Sequence, residues 1–257
     1  QAIYQAATVG DFAPLTVSLT FSIIAGFIIV GVVSRTSRVS QITHEIGIND
    51  LTRLSRIINK PKEERTTIAD TIGLRPGALV HIGERKVDKI RLELIEFDKD
   101  SIIENRDATI EECLESRRKS NVSWVNIIGI HDPEIIEKFG NVFGLHALHQ
   151  SNIMNTELRP SIEISDDYIH IILKMPHFRD DKGKIELEQV SLVIAQDHLL
   201  SFQEIEQDFF DEIRKRLREN VGAIRNRATD YLAYTLIDAI VDSYFVILEK
   251  IGDITEN

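Results

Sequence analysis

The chain has 257 residues, 28% charged and 43% hydrophobic, a globular balance that excludes a wholly disordered or fibrous protein. Lys and Arg number 30 against 41 Asp and Glu, for a formal net charge of -11, which argues against a nucleic-acid partner, since phosphate binding needs clustered cations. A single cysteine, Cys113, excludes an internal disulfide and points to a reducing compartment.

Residues 12–34 contain no Asp, Glu, Lys, Arg or His, and residues 15–33 form the apolar heart of that run. A membrane-spanning helix needs about 20 mostly apolar residues, so the segment is expected to span, with a buried β-rich segment as the alternative. Asp11 precedes it and Arg35 and Arg38 follow, which places the C-terminal side in the cytoplasm. Residues 1–65 carry seven basic and five acidic residues, leaving 23 basic and 36 acidic in residues 66–257. The expected organisation is therefore a leader and juxtamembrane connector over 1–65, an α/β domain over 66–226, and a long helix beginning at 227 and running to 257. The connector holds a short amphipathic piece at 48–58 and a charged break at 59–65.

Beyond Pro76-Gly77, strands and helices alternate. Residues 90–97 (IRLELIEF) have the period of a half-buried strand. Thr109 introduces a helix over 110–118, with Glu111 and Glu112 near its start and Arg117 and Arg118 at its end, as the helix dipole prefers. A strand is expected over 122–128, a helix from Asp132-Pro133 to about residue 140, and a short helix over 145–154. Strands follow at 162–164, 168–175, 185–195 and 199–202, with a hairpin turn at 180–183. From residue 208 the pattern is helical, and 227–254 runs nearly eight turns without Pro and without Gly before Gly252. Strands mixed with helices, then helices alone, give an α/β (α+β) class.

No Walker A, G-x-G-x-x-G, G-x-S-x-G or H-E-x-x-H motif occurs. His131, after Gly129-Ile130, is weighed as a base but has no nucleophile beside it, so a turn role is expected. No enzyme chemistry is expected. His146 and His149, three apart, are a possible soft-metal pair, set against two ordinary polar histidines. Glu186, Glu188, Glu204, Glu206, Asp208, Asp211 and Glu212 thicken the acidity at the end of the sheet. They suit a loosely held hard cation, although a solvated face is the expectation. Asp238 lies between Leu236, Ile237, Ala239 and Ile240, and needs a partner or a cation if buried. Asp242 lies one turn on, beside it.

Several peptides, in order, resemble the cytoplasmic domain of the CorA family of magnesium and cobalt transport proteins. They are Pro76-Gly77-Ala78-Leu79-Val80-His81-Ile82-Gly83, Trp124-Val125-Asn126 with Gly129-Ile130-His131, Phe143-Gly144-Leu145-His146 and Arg159-Pro160. Glu188-Gln189-Val190-Ser191-Leu192, Ser201-Phe202-Gln203-Glu204, Asp230-Tyr231-Leu232-Ala233-Tyr234, and Leu236-Ile237-Asp238-Ala239 with Asp242 and Tyr244 follow. The resemblance covers about residues 66–257. It implies a mixed sheet sandwiched by helices, a long stalk helix leading to the membrane, and a homopentamer. Divalent ions, Mg²⁺ or Co²⁺, bind between neighbouring cytoplasmic domains in that family and hold the channel closed.

The family's Gly-Met-Asn signature does not occur in this chain, so the chain is expected to hold the sensing half, in the cytoplasm, of a cell-membrane protein whose conducting spans follow it. Asp238 matches the family's metal-binding aspartate on the long helix. The acidic couple that faces it in the family falls on Ser151 and Asn152, which carry no charge and should weaken a Mg²⁺ site. Asn152 still offers a neutral oxygen, and His149 one turn earlier favours Co²⁺ or Zn²⁺. Two alternatives stand beside this expectation: a zinc-handling relative of the same superfamily, and a membrane-anchored oligomerisation module that senses no metal. The apolar run over 15–33 has no counterpart in the usual family pattern.

Overall fold

The computed structural model describes residues 66–67, 71–74, 78–118, 122–179, 184–206 and 208–256. The expected span over 15–33, the connector, Pro76-Gly77 and the turn at 180–183 lie outside the described residues. Seven strands form one mixed sheet: β1 (Arg91–Phe97), β2 (Ile102–Asn105), β3 (Val122–Ile128), β4 (Ser161–Ile164), β5 (Ile169–Arg179), β6 (Lys184–Ile194) and β7 (His198–Gln203). Their spatial order is β2-β1-β3-β7-β6-β5-β4. β3 and β7 pair in parallel, and every other neighbouring pair is antiparallel.

β3 and β7 occupy the middle of the sheet, and helices cover both faces. That is why VSWVNII and HLLSFQ are buried almost throughout instead of alternating. The register aligns Leu94, Val125, Leu200, Val193, His170 and Glu163 in one row across six strands. Because side chains alternate along a strand, the row beside it (Ile95, Trp124, Leu199, Ile194, Ile169 and Ile164) faces the opposite way.

The first row packs under α1 (Ile110–Glu115), α2 (Pro133–Phe143) and α3 (Ala147–Met154), with Cys113, Ile136, Phe139, Phe143, Ile153 and Met154 in the same core. Burial pushes the Cys113 thiol up to about 12, so it is an unreactive core side chain. Each helix here starts on a local signal. Thr109 and Glu112 form a reciprocal capping box at α1. The Asp132 carboxylate accepts from the Glu134 N–H, and Pro133 occupies the first turn of α2. Gly144 ends α2 with φ 73°, in the left-handed region that favours glycine. At Gly140 an added Cβ would stand 2.2 Å from the Gln150 amide, so a larger residue there would have to displace that side chain from its hydrogen bond to the Leu145 carbonyl.

α4 (Asp211–Arg218) and α5 (Thr229–Glu256) cover the other face. The Trp124 ring meets Phe210 edge-on at 5.9 Å, and α5 packs along β5, β6 and the Asp208–Phe210 turn. The N-terminus of α5 is fixed where Thr229 Oγ1 donates to the carbonyls of Ala195, at 2.5 Å, and Gln196, at 3.1 Å. Further along, the Tyr244 hydroxyl donates to the Lys174 carbonyl at 2.5 Å, and the Lys250 ammonium stands 4.2 Å over the Phe178 ring. The 28 residues of α5 span about 42 Å. Residues Thr229–Asp253 are long and apolar enough to cross a membrane. Leu232, Ala233, Leu236, Ile237 and Ile240 are nevertheless buried in the domain, which accounts for much of that apolar character.

A buried polar chain ties α4 to the middle of the sheet. Trp124 Nε1 donates to Ser201 Oγ at 2.9 Å, Ser201 Oγ to Asn126 Oδ1 at 2.6 Å, and Asn126 Nδ2 to Glu93 Oε2 at 3.0 Å. Arg214 and Arg91 each reach the Glu93 carboxylate at 2.5 Å. Each link satisfies a polar atom that burial would otherwise penalise.

Among the acidic residues at the end of the sheet, Glu206 and Glu212 are exposed, but Glu188 and Glu204 do not join the solvated face expected of them. Glu188 and Glu204 are buried. Glu204 pairs with the Lys86 ammonium at 2.8 Å and accepts from the Gln189 N–H at 2.5 Å. Among the others, Glu206 pairs with Arg91, and Asp211 with Arg214 and Arg106. Burial, with the Glu204 carboxylate beside it, pushes the Glu188 carboxyl well above its ordinary value of 4.5. Both faces of β6 are covered here, so the consecutive residues Glu188, Gln189 and Val190 are all buried and period alone does not leave Glu188 outside.

Two stability measurements follow from this packing. Glu93→Ala leaves the buried Arg214 guanidinium with the half-exposed Asp211 as its remaining carboxylate and removes the acceptor of Asn126 Nδ2, and should lower the unfolding free energy by about 3 kcal/mol; urea melts at unchanged m-value check this, and a loss below about 1 kcal/mol contradicts it. Folded Glu188 keeps a proton that the unfolded chain releases above pH 4.5, so its contribution falls as pH rises past that value. Glu188→Gln should therefore be more stable than wild type at about pH 8, with a flatter stability profile above the unfolded pKa.

Candidate metal-binding sites

The residues singled out from the sequence divide between the two sides of the sheet. Ser151 and Asn152 lie on the second half of α3, both half-buried. Asp238 is half-buried and Asp242 exposed, both on α5. The core beneath α3 contains no α5 side chain. The sheet stands between these two sets, so one chain does not bring Asp238 to Ser151 or Asn152. Asn152 turns instead to its own sheet edge. Its Nδ2 lies 3.4 Å from Glu163 Oε1, and its carbonyl accepts from Gln189 Nε2 at 3.1 Å.

His146 and His149 do not form a ligand pair on one helix face. α3 starts at Ala147, and His146 is its N-cap, with Nδ1 accepting from the Leu148 N–H at 3.2 Å. That bond uses the lone pair a metal would need. His149 instead points into the fold. Its Nδ1 lies 2.6 Å from the Tyr168 hydroxyl and its Nε2 lies 2.6 Å from Glu163 Oε2. The Tyr168 oxygen also accepts from the His146 N–H at 2.9 Å, so the capping residue and the buried histidine share one phenol.

The third member of this group is His170, directly opposite Glu163 in the β4–β5 register and 5.0 Å from the His149 ring between centroids. It is 1% exposed, and neither ring nitrogen has a hydrogen-bond partner. Burial, with His149 beside it, pushes its pKa down to about 3, so the ring is neutral at pH 7. One donor atom from each of His149, Glu163 and His170 lies within 4.8 Å of the others.

Sequence reasoning selected His149 and missed Glu163 and His170. A signal was present in the strand TyrIleHisIleIle, where the histidine occupies an inward position between Ile169 and Ile171. Its pairing with Glu163 depends on a register set by the whole β-rich stretch.

Comparison with known proteins places these observations in a family. Residues 119–257 match the family model described as CorA-like Mg²⁺ transporter protein. The cobalt/magnesium transport protein CorA of Thermotoga maritima is 40% identical over 181 residues, which are 70% of this chain and 51% of that protein. The chain thus spans about half the length of this curated relative. Among solved structures, the ZntB cytoplasmic domain from Vibrio parahaemolyticus superposes with a TM-score of 0.50 at 16% identity, covering 63% of each chain. This likeness shows a shared fold. The complete CorA magnesium transporter from Methanocaldococcus jannaschii aligns with a TM-score of 0.47 at 17% identity, over 65% of this chain and 49% of that one. With the family model matched over more than half of its residues, the chain belongs to the CorA-like family of Mg²⁺ transporter proteins.

Proposed function

We propose that residues 66–257 are the cytoplasmic, divalent-cation-responsive domain of a Mg²⁺/Co²⁺ transport channel, assembled as a homopentamer in the cell membrane, and not an enzyme. The observation that carries this reading is the placement of Asp238 and of Ser151 and Asn152 on opposite sides of one sheet. An ion that touches both sets must lie between two copies of the chain, so ion binding and assembly become linked quantities.

The helix carrying Asp238 is suited to such contact. Tyr244 is 41% and Val246 57% exposed on α5, apolar surface that a neighbouring subunit would cover. The negative charge of residues 66–257 raises the local concentration of cations around the domain.

The donor set fits Mg²⁺ only weakly. Mg²⁺ prefers carboxylates and retained waters. Asp238 supplies a carboxylate, Asn152 a neutral amide oxygen and Ser151 a hydroxyl, with Asp242 one turn from Asp238 on the exposed side. The ion would bridge subunits through Asp238 and the α3 oxygens, and its departure would loosen the interface.

Sedimentation of the full chain with and without Mg²⁺ tests this. Wild type should associate more strongly with Mg²⁺ present, Asp238→Ala should lose that increment, and Asn152→Asp should lower the Mg²⁺ concentration required by about tenfold or more. An Asp238→Ala chain whose assembly responds to Mg²⁺ as wild type does would overturn the proposal.

A further inference from the structure

We infer that His149, Glu163 and His170 form a binding site for a transition-metal ion of the Zn²⁺ and Co²⁺ class, held within one subunit. The site is independent of the Mg²⁺ response proposed for Asp238, and lies on the other face of the sheet.

The first ground is the donor set. Two imidazoles and one carboxylate suit Zn²⁺ and Co²⁺, whereas Mg²⁺ prefers an all-oxygen shell. The three donor atoms already lie within 4.8 Å of one another. Ligands about 2.0–2.1 Å from a tetrahedral ion stand roughly 3.3 Å apart. His149 Nε2 and Glu163 Oε2, now 2.6 Å apart, therefore need to open by about 0.7 Å to admit one. Glu163 can supply this movement, since it belongs to the edge strand β4 and its side chain is 35% exposed. The same exposure gives the ion a route in and leaves room for water as a fourth ligand.

The second ground is independent of the first. His170 is buried to 1% exposure with both ring nitrogens unpartnered. A buried polar side chain normally finds a hydrogen bond, and leaving two such atoms unsatisfied is costly. The row it occupies is otherwise Leu94, Val125, Leu200 and Val193 up to the edge residue Glu163. An aliphatic or aromatic side chain would fill this position without that cost. A metal ion gives the imidazole the partner that no protein group supplies.

The surroundings complete the arrangement. An ion on His149 Nε2 requires the proton on Nδ1, and the Tyr168 oxygen at 2.6 Å can accept it. Metal-bound histidines are commonly oriented by such a contact to the other ring nitrogen. Asn152 Nδ2, at 3.4 Å from Glu163 Oε1, steadies the carboxylate. The ion would thus sit against the turn of α3 that carries Ser151 and Asn152.

Titration of the full chain with Co²⁺, followed by visible absorption, tests the inference. Wild type should bind one Co²⁺ per chain with the intense bands of a four-coordinate ion, lost on adding stoichiometric Zn²⁺ and retained in about a hundredfold excess of Mg²⁺. His170→Phe and Glu163→Gln should each weaken Co²⁺ binding by about 100-fold, and Asp238→Asn should leave the bands unchanged. Circular dichroism melts confirm that each variant is folded. Should His170→Phe fail to fold, Glu163→Gln at the exposed edge carries the test. A weak, octahedral-type Co²⁺ spectrum from wild type, unchanged bands in folded Glu163→Gln or His170→Phe, or loss of the bands in Asp238→Asn would overturn it. Because the Mg²⁺ response is read by assembly and this site by Co²⁺ absorption, either can fail alone.

Discussion

Side chains along β5 alternate between two helical layers, and that alternation sorts the chemistry of this domain. His170 is sent under α3, while Ile169 and Ile171 are sent beneath α5. The same alternation on β6 and β7 carries Val193 and Leu200 to the α3 side and Ile194 and Leu199 to the α5 side. A seven-stranded sheet with both faces covered is a barrier about one side chain thick on each side. Groups on α3 and groups on α5 therefore cannot meet within one chain. Any ligand shared by Asp238 and Asn152 must be shared by two molecules, and any ligand of His149 must belong to one.

This division gives the two faces different physical characters. Beneath α3 the core is aliphatic and aromatic, interrupted near its edge by His149, Glu163 and His170. Beneath α4 and α5 the sheet contains a continuous polar chain from Trp124 through Ser201 and Asn126 to Glu93 and its two arginines. That chain has hydrogen-bond partners at every step and serves to seat α4. His170 has none, and this contrast is why the first network reads as structural and the second as a place for an ion. The long helix α5 rests on the aliphatic part of that same face, over Ile169, Ile171 and Ile194, fixed by Thr229 at its start and by Tyr244 and Lys250 farther along.

Much of the architecture was legible in the sequence because its signals are local. Alternation in 90–97, the cap at Thr109, Asp132-Pro133 and the uninterrupted run toward Gly252 each fix an element from within a few residues. The ordered peptides resembling CorA extended that reading to the family, which the match over 119–257 bears out. The misreadings have non-local causes. His146 looks like a helix-face partner of His149 until the helix boundary makes it a cap. Glu188 and Glu204 look like surface acids until the end of the sheet is covered by Lys86 and its neighbours. Glu163 and His170 acquire meaning only through the β4–β5 register and the position of α3 above it. Asp238 stood out from its apolar neighbours on the helix and again by likeness to the family, and its separation from Asn152 was visible only once both faces of the sheet were known.

The central claim is that Asp238 and Asn152 meet between molecules and never within one. Cysteines at these two positions, joined by a short bis-maleimide reagent, test it directly. The native Cys113 is buried, with its thiol pushed up to about 12, and stays out of the reaction. The account predicts a ladder of covalent oligomers from the Asp238→Cys/Asn152→Cys chain, absent when only one of the two residues is replaced. Internally bridged monomers, or a doubly substituted chain that assembles yet yields no cross-linked oligomer, would contradict it.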